Sequence, residues 1–312
     1  MLLLLIVVLL IAAGAAWLIF RPSSPIIVLP ASERGIPDSQ YWSDADRWVD
    51  VDGLGTRVRV EGALDAQPII LIHGFSHSLE SWDAWAEELA SDYLVIRYDL
   101  PGHALTGPDP EQRYSVPQTV DHLAALLDAM QIETAILAGN SLGGLVAWRY
   151  AAEHPDRVSR LALLAPGGYS INGVTEDPVA VPMPVRFFMT QAPEAMITAA
   201  TGALFGDPAR MDPAMPERVF NLMREPGIGA ALVERLEVFT LPDPTAELAR
   251  VQAPVLLMWG ERDGVVPFDH AARFEADLTD ATLITYPGLG HVVHEEAPDQ
   301  TLQDLRAFLA DN

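Results

Sequence analysis

The chain has 312 residues, enough for one large α/β domain or two smaller ones, and with half of them hydrophobic and 20% charged it is not a disordered chain. Nineteen basic residues against 43 acidic ones give a net charge of −24, which repels phosphate backbones and argues against a nucleic-acid partner. There is no cysteine and every basic residue is Arg, so thiolate, Cys-ligated zinc and Schiff-base chemistry drop out and Ser, His, Asp, Glu, Tyr or a metal must carry any reaction.

Residues 2–20 are uncharged and almost wholly Leu, Ile, Val and Ala. At ~1.5 Å per residue they span roughly the 30 Å core of a bilayer, which predicts a transmembrane anchor over residues 1–21 and a membrane location. A cleaved signal peptide, releasing a secreted protein, is the competing reading, because Ala13, Gly14 and Ala15 offer a small-residue site; the basic n-region is missing, however, and Trp17 to Phe20 remain apolar beyond it. Arg21 and Arg34 are too few to fix which side the body occupies. Residues 22–47, with Pro22, Pro25, Pro30 and Pro37, read as an extended linker.

The body begins near Trp48. Residues 56–60 alternate like a half-buried strand, whereas 68–72 and 94–98 are short continuous apolar runs of the kind found in buried parallel strands. Helical patterns follow at 79–90 and 116–130, then a strand at 134–138, a helix at 142–153 and a strand at 158–164. The alternation resumes with a strand at 254–259, a helix near 269–278, a strand at 282–286 and a closing helix at 300–310. This predicts a mostly parallel sheet flanked by helices, with core segments at 48–167 and 251–312. Residues 168–250 break the rhythm: rich in Pro and Met, with helical patches and no buried strand, they read as an inserted, mainly helical cap.

The chemistry is placed at predicted strand ends. Gly139-Asn140-Ser141-Leu142-Gly143 joins a strand to a helix, and its glycines permit the sharp turn that lifts a serine hydroxyl above the sheet. Taken alone, this stretch is equally compatible with an ordinary serine helix cap. Downstream, Trp259-Gly260-Glu261-Arg262-Asp263 and Gly288-Leu289-Gly290-His291 each leave a strand, giving the chain order Ser, Asp, His. A serine hydroxyl needs an imidazole to take its proton and a carboxylate to hold the imidazole's tautomer. Ser141, His291 and Asp263 are therefore the candidate nucleophile, base and acid, with His294 and Glu261 as nearby competitors. Acyl transfer also needs two donors for an oxyanion, and the backbone N–H groups of Phe75 and Leu142 are the candidates. His73 reads as structural, and a His73–His77 pair has no third ligand beside it, so neither a metal nor a cofactor is expected.

These stretches, together with His73-Gly74-Phe75, Tyr98-Asp99-Leu100-Pro101-Gly102-His103 and the Glu296 and Pro298 that follow His291, resemble the α/β-hydrolase fold superfamily of serine hydrolases over about residues 48–312. The resemblance implies an α/β-hydrolase fold, the same Ser141, Asp263 and His291, the same two oxyanion donors, and a structural turn at Asp99 and Gly102. A serine in place of the aspartate nucleophile disfavours epoxide hydrolase and dehalogenase chemistry. Asn140-Ser141-Leu142-Gly143-Gly144 is similar to the elbow of meta-cleavage product hydrolases, whereas Phe75-Ser76-His77-Ser78 replaces the Gly-rich oxyanion loop of that branch.

The expected function is hydrolysis of a small-molecule carboxylic ester. Carbon–carbon hydrolysis, peracid formation and acyl transfer are alternatives on the same residues, and a non-catalytic binding protein is the reading from another class. Six of the nine methionines lie in the predicted cap, so Phe187, Phe188 and Met189 are expected to line a pocket for an apolar acyl or alcohol group.

Overall fold

The computed structural model describes residues 35–310. The predicted anchor and the first part of the predicted linker lie outside them; among the described residues, no helix is long and apolar enough to cross a membrane.

Eight strands form one sheet: β1 (Asp46–Val51), β2 (Leu54–Glu61), β3 (Pro68–Ile72), β4 (Leu94–Tyr98), β5 (Ala135–Asn140), β6 (Val158–Leu164), β7 (Val255–Gly260) and β8 (Ala281–Tyr286). Their spatial order is β1-β2-β4-β3-β5-β6-β7-β8. The β1–β2 and β2–β4 pairs are antiparallel and the rest parallel. Strands β4, β5 and β7 are buried at every position, and β3 at all but its first, because helices cover both faces; this is why they read as unbroken apolar runs. On one face lie α1 (Asp83–Leu89), which contributes Trp85, and the C-terminal helix Pro298–Ala310, which contributes Leu302 and Leu305. On the other lie α2 (Val116–Ala129) and α3 (Leu142–Glu153), with Leu123, Leu127, Leu145 and Trp148 packed against the strands. Helix α2 starts where the sequence provides a Ser115–Gln118 capping box followed by Pro117 in its first turn.

Between β6 and β7 the chain leaves the sheet for α4 (Met183–Gln191), α5 (Glu194–Gly202), α6 (Met215–Met223), α7 (Ile228–Glu237) and α8 (Thr245–Leu248). These helices have their own small core, in which Met189, Ile197, Phe205, Met215, Met223 and Leu232 meet. The chain then returns through β7, α9 (Asp269–Asp277), β8, α10 (Val293–Glu296) and α11 (Pro298–Ala310).

One boundary is corrected and one strand is added. The linker was expected to run to residue 47, but residues 35–47 are docked on the body. Trp42 packs on Trp48 (ring centroids 4.9 Å), the Trp48 indole N–H donates to the Gly35 carbonyl (2.8 Å), and β1 begins at Asp46. Tyr41 and Trp42 find an apolar seat with Leu105 and Leu222, and residues 35–47 contain a single proline, Pro37, so little in this part resists docking. The edge strand β1 was also not expected, because its charged ends hide the alternation. Its Asp46 is fully buried, where it meets the Arg57 guanidinium at 2.8 Å; Arg57 also meets Glu80 at 2.6 Å and Asp99 at 3.2 Å. Asp99 accepts the backbone N–H groups of Leu79 (2.9 Å) and Leu105 (3.2 Å), so the turn after β4 is built around a buried charge hub.

Candidate active site

The strand order fixes where a site can form. The chain goes outward from β3 to β4 on one side, then crosses back to β5 beside β3 and proceeds through β6 to β8 on the other. The loops after β3 and β5 therefore diverge across a crevice at the sheet's switch point, the place where open α/β sheets bind ligands. Phe75 is on the first of these loops and Ser141 on the second.

Ser141 adopts φ 55° and ψ −115°, a left-handed conformation that a residue with a Cβ rarely takes and that costs about 1–3 kcal/mol. The turn is possible only because its neighbours are glycines: a Cβ on Gly143 would sit 2.1 Å from the Ile72 carbonyl oxygen, and one on Gly139 2.4 Å from that of Gly143. Ser141 precedes α3, yet its hydroxyl makes no capping hydrogen bond, so the helix-cap reading of this serine is not what the structure shows. Leu142 is the first residue of α3, and a first-turn N–H has no carbonyl four residues back to bind it. Gly74 abuts the elbow, where a Cβ would lie 3.3 Å from the Ser141 Cβ, and this brings the Phe75 backbone beside the serine.

His291 follows β8 and is buried. Its Nδ1–H donates to Asp263 Oδ2 at 2.8 Å, which leaves Nε2 as the acceptor of the ring. The other oxygen of Asp263, Oδ1, accepts the N–H groups of Val265 (2.7 Å) and Val266 (2.9 Å), so the carboxylate cannot rotate away. The histidine loop is tied to the elbow by Asn140, whose side-chain amide donates to the His291 carbonyl (3.1 Å) and to Leu164 (3.0 Å).

The competitors are elsewhere. His294 stacks on Trp82 (ring centroids 4.2 Å) and burial pushes it well below its ordinary pKa. Glu261 is exposed and accepts from the Thr285 hydroxyl (3.2 Å). His73 uses both ring nitrogens on backbone, donating to Gly74 (2.8 Å) and accepting from Leu100 (2.9 Å); burial lowers it to about 3. Neither nitrogen is left for a metal.

Ser141, Phe75 and Leu142 open onto a cavity of about 310 Å³, completed by Val174, Leu236 and Phe239 among others. The expected lining residues are not there. Phe187 is 45% exposed on α4, while Phe188 and Met189 pack into the cap's own core. Helix α4 turns its apolar face toward its sister helices, and α7 with the loop around Ile171 supplies the walls instead.

Glu296 belongs to the family pattern, but its contacts carry no local sequence signal. Glu296 accepts three backbone N–H groups, from Gly290 (2.7 Å), Gly206 (2.9 Å) and Asp207 (2.9 Å), and so pins the loop carrying His291 to the cap. Glu296→Ala would leave those donors without a partner. It is expected to cost about 3 kcal/mol, read as a lower urea midpoint with unchanged slope.

A family model described as alpha/beta hydrolase fold matches residues 67–298. The dihydrolipoyllysine-residue acetyltransferase component of the acetoin cleaving system of Pseudomonas putida is 31% identical over 268 residues, 84% of this chain and 66% of that protein, so this chain spans just under two thirds of that relative. The 2-hydroxy-6-oxo-6-phenylhexa-2,4-dienoate hydrolase of Burkholderia cepacia is 26% identical over 81% of this chain and 91% of its own length. Among solved structures, a bacterial membrane phospholipase A superposes with a TM-score of 0.71 at 26% identity, covering 99% of this chain and 98% of that one. With the sheet order, the elbow and the His291–Asp263 pair in place, the conclusion is plain: the chain belongs to the α/β-hydrolase fold family and is a hydrolase.

Proposed function

We propose that the enzyme cleaves a carboxylic ester through an acyl-enzyme on Ser141. His291 Nε2 takes the hydroxyl proton as Ser141 Oγ attacks the ester carbonyl, and the N–H groups of Phe75 and Leu142 stabilise the oxyanion. Collapse expels the alcohol, which leaves with the proton from His291. Water, activated by the same imidazole, then releases the acid and restores the serine. The observation that supports this reading is the 2.8 Å bond from His291 Nδ1–H to a carboxylate held by two further N–H donors, together with a strained serine that opens onto an apolar cavity. A fluorophosphonate should label Ser141 alone, and a panel of acyl esters graded by chain length should be hydrolysed; labelling at another residue would sink the assignment.

Carbon–carbon hydrolysis is the second reading, supported by the dienoate hydrolase relatives. The same residues would serve it, so a 2-hydroxy-6-oxo-dienoate belongs in the panel, and turnover of that compound in preference to every ester would reverse the ranking.

Residues 168–250 act as the cap of this enzyme, and residues 2–20 as its membrane anchor. The anchor is supported by the uncharged run in the sequence and by the likeness, over nearly the whole chain, to a structure named as a membrane phospholipase. Deleting residues 1–21 is expected to give a soluble protein with kcat on a small ester unchanged within about twofold, since the docked part of the chain starts near Gly35. Alkaline carbonate should fail to extract the full-length protein from membranes, and extraction would argue for a cleaved signal or peripheral attachment.

A further inference from the structure

Of the three fully buried arginines in the described body, Arg57, Arg97 and Arg235, the first and last are opposite in character. Arg57 is surrounded by the carboxylates of Asp46, Glu80 and Asp99. Arg235, on α7 and 1% exposed, forms no ion pair among the described residues. Its Nη1 donates to the Tyr114 carbonyl (3.0 Å) and the Thr119 hydroxyl (2.9 Å), and its Nη2 to the Pro101 carbonyl (2.8 Å), which fastens the fork to the core. Its Nε is buried with no hydrogen-bond partner. Arg235 also lines the cavity that starts at Ser141.

Bonding three core oxygens requires N–H donors but no charge. A guanidinium taken from water without a counter-ion is unfavourable, and an anion within reach of it in an apolar cavity is held far more strongly than in water. The cavity begins at Ser141, between Phe75, Leu142 and Leu145, with room for the acyl chain of a bound ester. We propose that Arg235 is a specificity-determining residue whose counter-ion is supplied by the substrate: a carboxylate at the far end of the acyl chain, drawn to the guanidinium charge where Arg235 lines the cavity. The preferred substrates are then ω-carboxyacyl esters, that is, monoesters of dicarboxylic acids. Burial lowers Arg235 to about 10, which leaves it protonated at neutral pH. This rests on the ester-hydrolase reading, since it names the acyl group.

The test is calorimetry on the full-length Ser141→Ala protein in detergent, which binds but cannot turn over, with monomethyl adipate and methyl hexanoate. The two differ only in a terminal carboxylate in place of a methyl group. Monomethyl adipate should bind at least tenfold tighter, against the repulsion of a chain carrying −24, and adding Arg235→Met should abolish the difference. Equal or weaker binding of the anion to the Ser141→Ala protein overturns the proposal, whether or not the Arg235→Met variant folds. Wild-type kinetics on 4-nitrophenyl hexanoate and 4-nitrophenyl hydrogen adipate separate the two readings. Hydrolysis of both with equal kcat/KM rejects the anion subsite and keeps the esterase. Selective binding of monomethyl adipate with hydrolysis of neither ester keeps the subsite and rejects the esterase.

Discussion

Ser141→Ala is expected to lower kcat on any ester by a factor on the order of 10⁵ or more, with fluorophosphonate labelling lost, because a nucleophile that acts as a unit with its base and acid cannot be replaced piecemeal. The fold should be indifferent to the change. Alanine keeps a Cβ at φ 55°, so the strain of the elbow is the same and the melting temperature should move by no more than about 1 °C. Ser141→Gly separates the two consequences. Glycine takes this conformation without a steric penalty, so the inactive variant should be more stable than the wild type, by about 1 kcal/mol and roughly 2 °C in Tm. Activity retained in Ser141→Ala would remove Ser141 from the mechanism; a less stable Ser141→Gly would show that the hydroxyl, and not the backbone, holds the turn.

How much of this was legible beforehand depended on the range of the interactions. The buried strands Pro68–Ile72, Leu94–Tyr98 and Val255–Gly260 announce themselves, since covering both faces of a sheet demands apolar residues at every position. The elbow is legible for the same local reason: glycines flank a serine that must turn sharply. Its proposed partners Asp263 and His291 stand out only by their position at strand ends, and nothing local in Asp263 says that Val265 and Val266 will hold it. What escaped was whatever depended on a distant partner. Asp46 looks like a surface residue until Arg57 meets it, Glu296 looks like a helix-end carboxylate until the cap brings Gly206 and Asp207 to it, and Arg235 sits in an amphipathic stretch with no hint of burial. The apolar residues of the cap misled for a related reason. Composition counted Phe187, Phe188 and Met189 as apolar but could not say which side of α4 faces the cavity, and the cap's own core claimed that side.

Asp263→Asn tests the wiring of the site at its most specific point. In the wild type Oδ1 receives two backbone N–H groups, from Val265 and Val266, and Oδ2 receives the His291 Nδ1–H. An asparagine has a single acceptor oxygen, and the two N–H donors will take it, which leaves the side-chain NH₂ facing the imidazole. His291 Nδ1 must then accept a hydrogen bond, so the ring proton moves to Nε2, where the base is needed. An imidazole protonated at Nε2 cannot take the proton of Ser141. Turnover should fall by about 10⁴-fold, while the shape of the site, the Tm and the binding of a non-reactive ester stay close to wild type. Glu261→Gln, at an exposed side chain that accepts from Thr285, should change kcat by less than about twofold. The tautomer itself can be read from the ¹⁵N shifts of a labelled His291. The wild type should show a protonated Nδ1 and the variant a protonated Nε2, and an unchanged tautomer together with a large loss of rate would mean that Asp263 acts through its charge and not by orienting the ring.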